Sequence, residues 1–315
     1  MSTSIIYSYL KHGIPNLVFL DARELIVTDR TYQDASVNWE QTTRIIQSVF
    51  DESKNHIVIT QGFIGADQDV NSTSLGREGS DFTGAIFAAI LDADSFTVWK
   101  DVDGIRNADP KLIPDAMKFE ELSYEEATEM LFYGAKVIHP KTIKSLANAG
   151  IPLYVKLFLS PQDIDTVIRN VHIMKSQPAI IFKENQTLLS FRVEDFTFIQ
   201  QQHLTHIIEI ITRIKIHVNR MQNSAISFSV CVDSNPLKIE EILESLGKKY
   251  SILYNDELLF IIIKNYDLKT IYSISENREI LLEQRSRHNY QIVVRPKIAS
   301  LRTYSSRLNT QSLNA

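Results

Sequence analysis

The sequence has a single cysteine, Cys231, in 315 residues, so no disulfide can form within the chain, and a reducing compartment suits it. Long hydrophobic runs are missing. The longest unbroken stretch of large aliphatic or aromatic residues, Leu258 to Ile263, falls far short of the roughly 20 residues that cross a bilayer. The start carries no basic-then-apolar signal pattern. These absences predict a soluble, unexported, cytoplasmic protein with no membrane partner. Positive charge is short as well: 33 Lys plus Arg stand against 38 Asp plus Glu, a formal charge of -5, so no bulk field exists to hold nucleic acid. Eight scattered histidines and one cysteine make no metal-ligand spacing. Glycine is scarce and lopsided, with Gly247 standing alone after Gly150 among the ten.

What is present is an ordinary globular balance of 44% hydrophobic and 23% charged residues, with length enough for two or three domains. The glycines direct attention to the first half, because glycine serves where backbone turns sharply or approaches a ligand. There, strands and helices alternate. Asn16 to Leu20 and His56 to Thr60 read as buried strands, Phe82 to Ala93 as an apolar helix, and Phe96 to Trp99 as a further strand. Ser123-Tyr124-Glu125-Glu126 has the spacing of a capping box, and Pro140 and Gly150 bracket another helix. Such alternation predicts an α/β fold, a mostly parallel sheet flanked by helices, with ligands at the carboxyl ends of the strands. After an interruption at Ser160-Pro161 and Ser176-Gln177-Pro178 the pattern changes. Leu188 to Val193, a helical stripe from Leu204 to Ile214, alternating strands to Val232, a helix capped by Asn235-Pro236, and strands at Tyr250 to Tyr254 and Leu258 to Ile263 make a βαββαβ unit running into a partial second copy.

Chemistry concentrates in Ser72 to Asp81, which runs into the Phe82 helix. Gly76, Gly79 and neighbouring hydroxyls at a helix N-terminus offer backbone amides to an anion, and Arg77 adds a planar fork for a carboxylate. The plain alternative is a polar loop with Ser80 or Asp81 as an N-cap. Gln61-Gly62-Phe63-Ile64-Gly65, Lys100-Asp101 and Lys136 join the same sheet edge if the strands fall as read, forming a glycine-lined, charged rim suited to a phosphorylated ligand. Each alone has a duller reading as a turn or a solvated charge.

This ordered set resembles the aspartate kinases. The resemblance is carried by Gln61 to Gly65, Thr73 to Asp81, Trp99 to Ile105, Asn107 to Pro110 and Gly134-Ala135-Lys136-Val137-Ile138-His139-Pro140, with Leu20 to Arg23 and Ile26 to Asp29. It implies an amino-acid-kinase-like domain over residues 1–165, then α+β, ferredoxin-like ACT domains at 180–256 and, in part, 257–297, with a mobile tail from 298 to 315. It also implies transfer of the ATP γ-phosphoryl group to the side-chain carboxylate of L-aspartate, giving 4-phospho-L-aspartate, with Mg2+, in lysine, threonine and methionine biosynthesis. Arg77, Gly79 and Ser80 would hold aspartate. Asp81 and Lys136 would be catalytic. Trp99, Lys100, Asp101, Arg106, Lys111 and Lys136 would line the nucleotide. A homodimer through the ACT domains, and a lysine or threonine effector, follow from the same likeness. The competing expectation is a non-catalytic ACT-type sensor or partner subunit.

Departures from the family pattern shape these expectations. The family's amino-terminal Lys-Phe-Gly-Gly segment does not occur here, which predicts a domain incomplete at its start and little or no activity for the isolated chain. Lys100 and Arg106 stand where many relatives have Thr and Tyr, and Glu78 where many have glycine. A family Gly-Thr pair is Asp165-Thr166, read as a change in the linker. Phe198 to His203 lacks the glycine expected before the first ACT helix, which predicts altered effector binding.

Overall fold

The computed structural model describes residues 2–52, 56–134, 138–163, 166–171, 177–193, 198–296 and 301–304. The chain divides into two units, residues 1–107 with 115–175, and residues 108–114 with 176–315.

In the first unit, α1 (Ser2–Leu10) precedes β1 (Leu17–Leu20), α2 (Ala22–Leu25), α3 (Trp39–Glu52) and β2 (Ile57–Thr60). A small hairpin of β3 (Ile64–Ala66) and β4 (Ser72–Ser74) leads into α4 (Gly79–Ile90), then β5 (Phe96–Lys100) and β6 (Glu121–Ser123). The unit finishes with α5 (Tyr124–Phe132), α6 (Pro140–Ala149), β7 (Leu153–Leu157) and β8 (Thr166–Arg169). Pairing is parallel for β1 with β2, β5 with β7 and β6 with β8, and antiparallel for β7 with β8. The expected mostly parallel α/β architecture is present.

Local signals explain the boundaries. The Ser123 hydroxyl accepts from the Glu126 amide while the Glu126 carboxylate accepts from that of Ser123, closing the capping box that starts α5. At α6 the His139 Nδ1 accepts from the Lys141 amide, Pro140 takes the first turn, and Gly150 ends the helix. Packing then fixes α3 and α4 against one another through a core of Leu25, Ile26, Ile46, Leu75, Phe82 and Ile86. Phe50 adds a ring contact to Phe87 at 6.0 Å.

The second unit is antiparallel throughout. Its elements are β9 (Ala179–Val193), α7 (Gln201–Ile214), β10 (Val218–Asn223), β11 (Phe228–Asp233), α8 (Pro236–Leu246), β12 (Tyr250–Lys264), α9 (Leu268–Ser275), β13 (Glu279–Arg285), β14 (Asn289–Arg295) and β15 (Leu301–Tyr304). The strand order is β10-β11-β9-β12-β14-β13, with β15 also on β12. The βαββαβ grammar is present, but two strand lengths differ from expectation. β9 runs 15 residues rather than six, and the segments Tyr250 to Tyr254 and Leu258 to Ile263 are one continuous strand. The polar Asn255-Asp256-Glu257 break is a bulge within β12, where the register with β9 shifts between Asn255 and Leu258; Glu257 in β12 has φ 54° and Asn185 in β9 has φ 53°. Tyr250 and Ile252 therefore pack under α7 and α8, while Ile261 and Ile263 pack with Ile274 of α9. The boundary expected between residues 256 and 257 lies inside this strand. Of the tail expected to be mobile, only residues 301–304 are described, and they pair with Ile252 to Asn255.

Cys231 is fully buried in this sheet, and burial, with the Asp233 carboxylate nearby, pushes its thiol up to about 12. Burial also works against ionisation of Asp233. Hydrogen bonds from Lys183, Asn219 and Gln186, at 2.9, 2.7 and 3.1 Å, outweigh it and hold the carboxyl below its ordinary value. No helix among the described residues is long and apolar enough to cross a membrane.

Candidate active site

The first unit brings its sharpest motifs together at the carboxyl ends of β1, β2 and β5. Asp21 ends β1 and caps α2; bidentate hydrogen bonds from Arg23 hold its carboxyl below the usual range, against partial burial. Beside it the Gln61 side chain at the end of β2 accepts from the Ala22 amide at 2.7 Å. Gly62 follows and touches the first turn of α4: a methyl placed there would sit 2.8 Å from Ser80 Cβ and 2.9 Å from its Cα. Only glycine permits that approach. Phe63 then turns through φ 78°, a left-handed conformation costly for a bulky side chain. Two hydrogen bonds hold it, its N–H to Thr83 Oγ1 at 2.9 Å and its carbonyl from the Leu75 amide at 2.9 Å.

The loop before α4 is equally constrained. Gly76 has φ 84°, and a methyl there would meet Asp34 Oδ1 at 2.6 Å. Asp34 in turn pairs with Lys141 at 2.7 Å, tying the loop to the start of α6. Glu78, where the resemblance expects glycine, adopts φ 56° and caps α4 without a side-chain hydrogen bond. The amides of Ser80 and Asp81 have no acceptor among the described residues, so this helix start presents two free donors.

Of the residues singled out in the sequence, Asp81 and Lys100 meet directly: Nζ lies 2.7 Å from Oδ2, both side chains half-buried or more. A cation and an anion from α4 and β5 thus sit beside the free amides of Ser80 and Asp81. Gly79 is buried against Phe63 and Leu75, Ser80 is exposed next to Gly62, and Arg77 is exposed with no partner among the described residues. Asp101 is exposed just past β5. Trp99 is 48% exposed, edge-on to Phe158 at 6.4 Å, with Lys156 Nζ 5.8 Å from its ring centroid.

Other expected residues are placed differently. Arg106 is engaged in bracing its own loop, donating to both oxygens of Asp103 and to the Ala116 carbonyl. Lys111 lies in the 108–114 segment, which groups with the second unit. Lys136 lies outside the described residues. Thr166, read from sequence as part of a linker, is fully buried: its hydroxyl accepts from the Ile105 amide at 2.9 Å and donates to the Phe119 carbonyl at 2.6 Å. It fixes the loop after β5. Asp34, Thr83 and Phe158 were not singled out by sequence reasoning; the glycine turn of Gln61 to Gly65 is the local signal that pointed near Thr83.

The described residues include no group of three His, Cys, Asp or Glu side chains that could hold a metal ion. The arrangement is instead one of anion capture, with two amides, a paired lysine and a free guanidinium around a helix start.

Residues 1–156, just under half of the chain, match the amino acid kinase family. The curated proteins this chain is similar to are aspartokinases. It is 34% identical over 169 residues to the bifunctional aspartokinase/homoserine dehydrogenase of Buchnera aphidicola, covering 53% of this chain and 21% of that protein. It is 29% identical over 238 residues to lysine-sensitive aspartokinase 3 of Escherichia coli, covering 74% of this chain and 52% of that one. The structure resembles Escherichia coli aspartokinase III in complex with aspartate and ADP, with a TM-score of 0.77 and 25% identity over 93% of this chain and 69% of that one. The chain thus spans about half, or less, of the curated relatives it matches.

Proposed function

We propose that this chain acts in phosphorylation of the side-chain carboxylate of L-aspartate by ATP. In the reaction, a carboxylate oxygen of aspartate bonds to the γ-phosphorus as the bridging bond to the β-phosphate breaks, giving 4-phospho-L-aspartate and ADP. The electron pair leaves with ADP, and no proton needs to be taken from the attacking carboxylate. Such chemistry asks a protein mainly to position two anions and to offset growing negative charge. The observation that carries the reading is the Asp81–Lys100 pair at the start of α4, beside two unbonded amides and the free Arg77. Arg77 would take the aspartate carboxylate bidentately, and the Ser80 amide and hydroxyl would orient it. Lys100, kept in place by Asp81, would face the nucleotide phosphates, with Trp99 and Asp101 beside them and Lys136 as a second cation. Magnesium would accompany the nucleotide and offset charge on its phosphates.

Likeness to the aspartokinases favours this enzymatic reading over a non-catalytic sensor. It also supports an amino-acid effector of the lysine class for the second unit, since one relative is a lysine-sensitive aspartokinase. Assembly as a homodimer through that unit, and a place at the head of lysine, threonine and methionine synthesis, belong to the same proposal.

Calorimetric titration tests it by binding rather than turnover. ADP and L-aspartate are expected to bind the 315-residue chain, and Arg77→Ala to weaken aspartate by about tenfold or more while sparing ADP, the scale of a charged hydrogen-bonded pair. Heat from neither ligand, or equal losses for both in Arg77→Ala, would overturn the reading.

A further inference from the structure

A groove on the first unit, between α3, α4 and α6, is lined by none of the residues assigned above to aspartate or the nucleotide. Its volume is about 620 Å³, within the roughly 300–1,000 Å³ of small-molecule sites. One wall is aromatic: Trp39, 42% exposed, meets Phe82 edge-on at 6.4 Å and 69°. The other is cationic and polar, with Lys141, Lys144 and Asn148 on α6 facing Gln47 on α3.

The charge of this groove is at odds with the chain. Acidic residues outnumber basic ones overall, yet no Asp or Glu lines the groove, while two lysines do. Lys141 is committed, bonded to Asp34 with its Nζ 5.8 Å from the Phe82 ring centroid. Lys144 is exposed and has no partner among the described residues. Glu40, the acid at the start of α3, is taken by Arg44 at 2.9 Å. A cation without a counter-ion, polar amides and a bare indole therefore border one concave surface.

We propose that this groove is a binding site for a small organic anion with a flat apolar body. The ring lies against Trp39 and Phe82, and the carboxylate or equivalent anion reaches Lys144 and Asn148. The proposal does not depend on the kinase reading, since none of these residues belongs to that site.

The test is calorimetry on the whole chain with 3-phenylpropanoate as the anionic probe and 3-phenylpropanamide as its neutral counterpart. The anion is expected to bind one per chain and the amide to bind more weakly. Lys144→Gln, on the surface, should weaken the anion about three- to fivefold, the scale of an exposed ion pair, and Lys144→Arg should restore it. Ala89→Phe, which fills the groove from α4, should abolish binding; if that variant fails to fold, the Lys144 pair still decides. Equal binding of the amide, or an unchanged affinity in Lys144→Gln, overturns the proposal. So does competition by ADP or aspartate, which would place the probe in the other site. Sedimentation showing a dimer that Lys144→Glu dissolves, with the probe silent, would make the occupant a second copy and equally overturn it.

Discussion

The two units use backbone and side chain in opposite ways. In the first, function-bearing geometry comes from backbone brought to where a side chain would not fit: Gly62 lies against Ser80, Gly76 against Asp34, and Phe63 and Glu78 sit in left-handed conformations. In the second, the sheet is filled from end to end by Phe191, Val230, Tyr250, Ile252, Ile261 and Ile292, all nearly or fully buried. The loop before α4 keeps amides bare where glycine lets backbone come close, while the sheet of the second unit covers its backbone with aliphatic bulk. The lopsided distribution of glycine is the sequence trace of that division.

Truncation of a core side chain should give the largest effect if the contrast is right. Phe191→Ala, which empties a fully buried site against Tyr250, is expected to destabilise the second unit by about 3–5 kcal/mol. Urea unfolding followed by amide exchange in β9 and β11 measures it, and a loss under 1 kcal/mol would break the contrast. A smaller effect is expected where backbone matters. Gly62→Ala should cost about 1–3 kcal/mol by forcing β2 and α4 apart, with ligand binding at α4 lost more completely than stability. Retained aspartate and ADP binding in that variant would show the close approach to be incidental. The smallest effect has the opposite sign: Glu78→Gly should relieve about 1–2 kcal/mol of left-handed strain, offset in part by the freer unfolded chain, for a net gain of about 0.5 kcal/mol. A lower melting temperature for Glu78→Gly would mean that the Glu78 side chain contributes more than its backbone conformation costs.

Sequence reading reached the fold where the signals are local. Ser123 and Glu126, or His139-Pro140 with Gly150, state their roles within a few residues, and all of them appear in the structure as caps. It failed where a contact spans a long loop. Thr166 looks like a linker residue because its partners, Ile105 and Phe119, are 61 and 47 residues away. The partnership of Asp34 with Lys141, 107 residues on, left no local mark either. The length of β9 and β12 was hidden because a bulge admits polar Asn255 and Asp256 into a strand whose hydrophobic period they interrupt. At the candidate site the motifs marked Asp81 and Lys100 separately. That they form an ion pair is a fact of packing between α4 and β5. Arg106 shows the converse, a residue read as facing a ligand and found bracing its own loop.

The two 15-residue strands give the second unit an inheritance of its own. The chain enters through the β9 end that pairs with the far half of β12, builds everything from α7 to α8, and returns along β12 to complete what it began. One half is thus nested inside the other, like a clause inside a sentence. A gene that kept only one half would encode a sheet with a raw, unpaired border, open to any passing strand. Duplication, loss or swapping by recombination must therefore act on the nested pair as a whole.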